Sequence, residues 1–313
     1  MKSSLSRKTV ALLYGGSSPE RDISLLTKEV VEASIVRLGH GVLPIDVADI
    51  SAARTIPTLK CDLAFMAMHG HNGENGCIQG MLEMSGIPYT HSGVLASSIC
   101  IDKPAAKLFF KGLGANVAYS RLVTREEILQ RKVLYPKKYV LKPTNEGSSR
   151  NIVVVDGESH LTEQNYPFDG PVMLEEFISG YELSVAFLSG RVLGGLELEL
   201  NGSEYCSYDA KYKKGFAEWV PIKNIPDEVY QSALTLTENI CNILHCRGAV
   251  RADFKYDDKE SKLVILEVNT CPGMTILPKI AKACANMEID QVVQEIMEDV
   301  DYGVAAMESL HVQ

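Results

Sequence analysis

Residues 263–275, LVILEVNTCPGMT, constrain the fold of this chain more than any other stretch. Leu263 to Val268 is a nearly continuous aliphatic run that reads as a buried strand, so the charge of Glu267 near its end is costly unless something binds it. Glu267 and Asn269 are two residues apart, which along a strand points both side chains to one face. Pro272 and Gly273 then impose a turn and free backbone N–H groups at the strand end. Taken alone, a buried Glu267 is better accounted for by a lysine partner than by a bound ligand. Upstream, GAVRADFKYDD (Gly248 to Asp258) and a polar turn read as the first arm of a hairpin with this run. A register that sets Asp253 opposite Glu267 would gather Arg251, Asp253, Glu267 and Asn269 on one side; the sequence leaves the register open. Two carboxylates and an amide oxygen, with no His or Cys among them, suit Mg²⁺, which takes a few carboxylates and fills its octahedron with phosphate oxygens and water. That donor set points to nucleoside triphosphate chemistry.

Composition narrows the class. A chain of 313 residues has room for two or three domains with cores of their own, and 46% hydrophobic with 23% charged residues is ordinary for a soluble globular protein. A net charge of −9 argues against a nucleic-acid or anionic-membrane partner. No apolar run approaches the roughly 20 residues of a membrane span, and the short N-terminal apolar strand lacks a cleavage site, so no signal peptide is expected. The eight cysteines are scattered without a C-x-x-C pair, which fits thiols in a reducing cytoplasm.

Along the chain, a strand at Thr9 to Tyr14, a glycine turn GGSSPERDIS (Gly15 to Ser24) and a helix from about Ile23 to Leu38 open a doubly wound α/β domain, whose ligand crevice lies at the carboxyl ends of its strands. Glu20 reads as an exposed turn residue complementing the helix dipole. A third strand, Leu63 to Met68, ends in HGHNGENG (69–76), which sets His69 at that crevice and lets backbone approach a ligand. The stretch from Ser92 to Gly112 reads as helical, with Asp102-Lys103-Pro104 opening a helix; Lys103 at a helix start calls for a nearby anion. Lys142 leaves an apolar strand into KPTNEGSSRN, an anion cradle without the Walker A spacing. Glu175 and Glu176 end another strand and face opposite ways. Lys211, Lys213 and Lys214 surround Tyr212 in an otherwise acidic chain.

GAVRADF followed by ILEVNTCPGMT resembles the metal-binding end of ATP-grasp ligases, and the NTxPGMT form resembles the D-alanine–D-alanine ligase family. Four further motifs match that family in order: GGSSPERDIS, HGHNGENG (HGxxGEDG in the family, with Asn75 for Asp), KPTNEGSSRN (KPxxxGSSxG, with Asn151 for Gly) and the Lys211-Tyr212 loop. The resemblance implies an α/β chain: an N-terminal doubly wound α/β domain over 1–98, then a two-part ATP-grasp α+β region, with a small central domain over 99–183 and a C-terminal domain over 184–313 carrying the omega loop and metal site. It implies that Glu20 and His69 bind the first D-alanine, and that Glu20, Ser148 and Tyr212 form a hydrogen-bonded lid. By the same resemblance Lys103, Lys142, Ser148, Ser149 and Lys211 hold ATP phosphates, the backbone segment Glu176-Phe177-Ile178 pairs the adenine with Glu175 also in the nucleotide site, and Glu182 holds the ribose hydroxyls. Arg251 and the Gly273 N–H stabilise the oxyanion, and Asp253, Glu267 and Asn269 bind Mg²⁺ or Mn²⁺, two per site. ATP is the co-substrate, D-alanine the substrate, and a cytoplasmic homodimer without nucleic-acid or membrane partners is expected. A D-alanine–D-lactate ligase, another ATP-grasp amino-acid ligase and a nucleotide-binding sensor are the alternatives.

One departure matters. Relatives run on from PGMT through a segment containing a Ser that helps hold the second D-alanine carboxylate; here Thr275 is followed at once by Ile276-Leu277-Pro278. The Thr275 hydroxyl and the N–H groups of a helix from about Pro278 are expected to substitute.

Overall fold

Aliphatic runs separated by glycine turns build the first sheet. In the computed structural model, which describes residues 6–130, 138–147, 151–156, 161–200 and 216–300, β1 (Thr9–Tyr14) lies between β2 (Gly41–Asp46) and β3 (Leu63–Ala67), both parallel to it. All of β3 and the middle of β1 are buried, as parallel strands covered on both faces must be. α1 (Arg21–Arg37) makes the crossover from β1 to β2. At the turn before it, Gly15 and Gly16 have φ of 78° and 79°, a backbone that glycine adopts at little steric cost. A Cβ on Gly15 would collide with Asp46, which pairs with Arg21.

After α2 (Ile50–Ala53) and α3 (Cys77–Met84), the stretch expected to be helical from Ser92 forms two helices, α4 (Val94–Ile101) and α5 (Lys103–Gly112). The break is Asp102, extended at φ −84°, ψ 98°, whose side chain accepts from the Ala105 N–H at 2.9 Å. Pro104 explains part of the break, because it cannot donate within a continuing helix.

The second sheet is antiparallel, in the order β4-β7-β5-β6: β4 (Ser120–Val123), then, after α6 (Arg125–Leu129), β5 (Tyr139–Pro143), β6 (Val153–Val155) and β7 (Val172–Glu176). The third is antiparallel too, β10-β9-β8-β11-β12, from β8 (Tyr181–Leu188), β9 (Arg191–Leu200), β10 (Ala217–Val220), β11 (Ala249–Asp257) and β12 (Lys262–Asn269), with α7 (Asp227–Ile243) between β10 and β11. The expected boundary at 183/184 falls inside β8; the second and third sheets part over residues 177–180 instead, because β8 pairs along its length with β9 and β11. Gly180 there, at φ 95°, packs against the Tyr256 carbonyl.

α8 (Leu277–Ala285) and α9 (Ile289–Glu298) follow the hairpin. α9 does not stay with the C-terminal region alone. Its Val292, Val293 and Ile296 join Val31 and Ile35 of α1 in one buried cluster, and Asp290 takes the Arg37 guanidinium at 2.6 Å and the Ser34 hydroxyl at 2.7 Å. α4, α5 and α7 cover the opposite face of the third sheet.

Candidate active site

The hairpin register sets the centre. Asp253 pairs with Glu267 and Arg251 with Asn269, with a ladder irregularity after Asp253. Period two puts Arg251, Asp253 and Lys255 on one face of β11, and all three are buried. Arg251 grips Asp253 with two parallel bonds, Nε to Oδ1 and Nη2 to Oδ2, both 2.8 Å. Ser184 Oγ and Asn269 Nδ2 also donate to that carboxylate. Asp253, Glu267 and Asn269 offer hard oxygen donors only, which fits a divalent cation of the Mg²⁺ kind. Among the described residues no group of three or more His, Cys, Asp or Glu is placed to hold a metal ion, so such an ion would rest on the two carboxylates, the amide oxygen and its substrate.

A cavity opens beside this ladder, and it brings together Glu20, His69, Arg251, Gly273 and Thr275. Glu20 is buried rather than exposed, contrary to its reading as a turn residue. It occupies the N-cap position of α1 without capping it, because residues far away in sequence close over it: a Cβ on Gly147 would lie 2.7 Å from Glu20 Oε2. His69 Nδ1 donates to the Cys271 carbonyl at 2.9 Å, and Thr27 Oγ1 lies 2.9 Å from Nε2. A carbonyl on Nδ1 assigns the proton to that nitrogen. Burial lowers the His69 pKa to about 4, so the ring is neutral near pH 7.

Glu74 belongs to the same cavity, and the sequence reading does not single it out. Its carboxyl accepts from the Gly70 N–H at 2.8 Å and the Cys271 N–H at 3.1 Å, tying HGHNGENG to the turn after β12. Burial, and then the charge of Glu20, push its pKa up to about 8. The only sequence signal is its place in the glycine-rich run.

The second cavity lies between the second and third sheets. Lys103, Lys142, Glu175, Glu176, Phe177, Ile178, Glu182, Asp253 and Glu267 all line it. Lys103 Nζ donates to the Glu146 carbonyl, and its pKa is lowered, chiefly by burial. Glu175 faces inward to Lys142 (2.5 Å) and Lys107 (2.6 Å), while Glu182 lies 3.9 Å from Lys255. Lys107 and Lys255 are further residues that the sequence reading does not flag, since each sits in an unremarked helical or strand pattern. Ser148, Ser149, Lys211 and Tyr212 lie outside the described residues.

Two antiparallel sheets closing on a cleft lined by lysines and acids, with a carboxylate ladder at its end, define an ATP-grasp protein. The sequence comparisons narrow this. The D-ala D-ala ligase C-terminus model matches residues 111–298 and the N-terminus model residues 49–92. The chain is 37% identical over 302 residues to a D-alanine–D-alanine ligase of Rickettsia bellii, covering 95% of this chain and 93% of that one. It superposes on the D-alanine–D-alanine ligase of Bacillus anthracis with a TM-score of 0.78 at 27% identity, over 96% of this chain and 99% of that one. The same ligase complexed with ATP gives 0.75 at 25% identity, over 96% and 99%. The chain belongs to the D-alanine–D-alanine ligase family.

Proposed function

We propose that this chain is an ATP-dependent ligase that joins two D-alanines into D-alanyl-D-alanine for peptidoglycan precursors. One observation carries the reading: the two cavities share one ladder. Asp253 and Glu267 line the nucleotide cleft, while Arg251 and Asn269, the neighbouring pair on the same strands, line the small cavity. A γ-phosphate in the cleft therefore comes up against a carboxylate in the cavity.

Glu20 receives the ammonium of the first D-alanine. A carboxylate oxygen of that first D-alanine bonds to the γ-phosphorus as the bond to the bridging oxygen of ADP breaks, giving D-alanyl phosphate and ADP. The neutral amine of the second D-alanine attacks the acyl carbon, the C–O bond to phosphate breaks, and the phosphate leaves with the proton that the amine nitrogen sheds. Arg251 and the Gly273 N–H face the developing oxyanion, a preorganised donor pair of the kind that carries much of the rate in acyl transfer. The Thr275 hydroxyl and the N–H groups opening α8 receive the second carboxylate. Neutral His69, held by Cys271 and Thr27, shapes the wall of the first subsite without adding charge. Lys103 and Lys142 hold phosphates, and Glu182 the ribose. A divalent ion held by Asp253, Glu267 and Asn269 would neutralise phosphate charge.

The division of labour follows the sheets: the first supplies the substrate wall, and the second and third enclose the nucleotide. A homodimer in the cytoplasm completes the proposal. Leu26 and Leu43 are 49% and 39% exposed on the first domain, apolar surface that a second copy would cover, and sedimentation equilibrium tests it. For the activity itself, protein, ATP and Mg²⁺ should release phosphate only when D-alanine is added, with D-alanyl-D-alanine identified by mass. A depsipeptide as the main product, with D-alanine and D-lactate supplied equally, would sink the dipeptide assignment.

A further inference from the structure

Behind the nucleotide cleft lies a cation that the reaction as described does not use. Lys107 sits on α5 one turn after Lys103 and is 5% exposed. Lys103 and Lys142 line the cleft; Lys107 does not. Its Nζ reaches Glu175 Oε2 at 2.6 Å and donates to the Ala118 carbonyl at 2.9 Å. The other oxygen of the same carboxylate, Oε1, takes Lys142 Nζ at 2.5 Å. Glu175 is itself 5% exposed and Lys142 8%. One buried carboxylate thus joins two ammoniums, one on the cleft wall and one behind it.

The imbalance has a consequence for binding. Were Lys142 the sole partner of Glu175, turning its ammonium toward a phosphate would strand a buried carboxylate, at a cost comparable to breaking a buried ion pair. We propose that Lys107 is a positioning residue for the nucleotide: it neutralises Glu175 from behind, so that Lys142 is free to exchange Glu175 for a phosphate oxygen. Lys107 touches no substrate and acts through Glu175. Two further facts fit. Burial alone would push the Glu175 carboxyl up, yet Lys142 and Lys107 together hold it below its ordinary value. The Ala118 carbonyl gives Lys107 a second acceptor, which keeps its head group behind the sheet instead of in the cleft.

The inference rests on the ATP-binding reading above and deepens it. Its test is a double-mutant cycle read by calorimetric titration of ATP with Mg²⁺, with thermal unfolding measured alongside. Lys107→Met should weaken ATP binding roughly ten- to hundredfold, the worth of a charged hydrogen bond, while the KM for D-alanine stays within about twofold. In a Glu175→Gln background there is no carboxylate left to trap Lys142, so adding Lys107→Met should cost less than about twofold. Lys107→Arg should restore binding. Lys107→Gln keeps a donor without the charge and should bind ATP as weakly as Lys107→Met, which decides the matter if the Met variant does not fold. Equal losses in both backgrounds, or Lys107→Gln binding ATP like the wild type, would overturn the proposal and leave Lys107 a packing residue. A wild-type chain that binds no ATP would overturn the ligase reading and this inference with it; a wild type that binds ATP beside an unaffected Lys107→Met overturns this inference alone.

Discussion

At the scale of single residues, the site depends on charges held where water cannot stabilise them. Asp253 is fastened by Arg251, Ser184 and Asn269, whereas Glu267 is half-buried on the cleft wall. Glu267 is a proposed Mg²⁺ ligand, and Glu267→Gln removes its hard donor without opening a core cavity. Phosphate release should fall at least roughly tenfold at fixed Mg²⁺ and need more Mg²⁺ for half-maximal rate, with an unchanged unfolding temperature; an unaltered Mg²⁺ titration would remove Glu267 from the metal site. Thr275 lines the small cavity just before α8. Thr275→Val keeps the shape and deletes the hydroxyl, so the KM for the second D-alanine should rise roughly ten- to hundredfold, with the first-site KM and ATP affinity little changed. Initial rates over a wide D-alanine range separate the two sites, and a wild-type second KM would mean that the carboxylate is held elsewhere.

At the scale of elements, the connection between the second and third sheets is short and backbone-limited. β7 ends at Glu176 and β8 begins at Tyr181, so residues 177–180 carry both the cleft wall and the change of sheet. Gly180 permits it through a left-handed φ of 95° and a close approach to the Tyr256 carbonyl of β11. Lys255 Nζ donates to the Gly180 carbonyl at 3.2 Å, coupling the turn to the buried face of β11. Gly180→Ala adds both strain and a backbone clash, expected to cost about 2 to 4 kcal/mol in a denaturant melt and to weaken ATP binding as Phe177 and Ile178 shift. A variant as stable as the wild type would mean that this turn relaxes freely. The same scale shows how far periodicity carries. Strand-turn-helix at the N-terminus, the β11–β12 hairpin and the capped start of α5 at Asp102 are all legible, since local pattern and turn chemistry decide them. The break between α4 and α5 is less so, because it also uses the Lys103 N–H bond to the Thr144 carbonyl, just past the end of β5.

At the scale of the molecule, buried titratable groups set the pH range of stability. Burial holds His69 near a pKa of about 4 and His91 near about 3, against 6.5 in the unfolded chain. Below 6.5 the unfolded chain binds more protons than the folded one, so stability rises with pH up to that value and is lost as the pH falls. Glu74 works in the other direction. Its folded pKa of about 8 exceeds its ordinary 4.5, so the folded chain binds the extra proton and stability declines as the pH climbs from 4.5 to 8. With two histidines against one carboxyl, the unfolding temperature should peak near pH 6.5. Glu74→Gln should flatten the decline between pH 6.5 and 8 while leaving the acid limb; a wild-type curve that keeps rising to pH 8 would contradict the assignment.

The sequence by itself determined what local chemistry can determine: the strands and turns, the hairpin with its hard donors, the lysines beside glycine-rich loops and, through its ordered motifs, the family. It did not determine which groups meet. Glu20 looks exposed in its own turn, yet Gly70, after β3 of the same sheet, and Gly147, after β5 of the second sheet, close over it. Asp253 opposite Glu267 is a matter of register, since a slip of one residue would turn every side chain to the other face. Glu74 gains its role from the Cys271 N–H 197 residues away, and Lys107, on helix α5, from a carboxylate on β7. These pairings carry no periodic signal, because burial and charge neutralisation act through space, and only the packed tertiary structure decides which carboxylate each lysine finds.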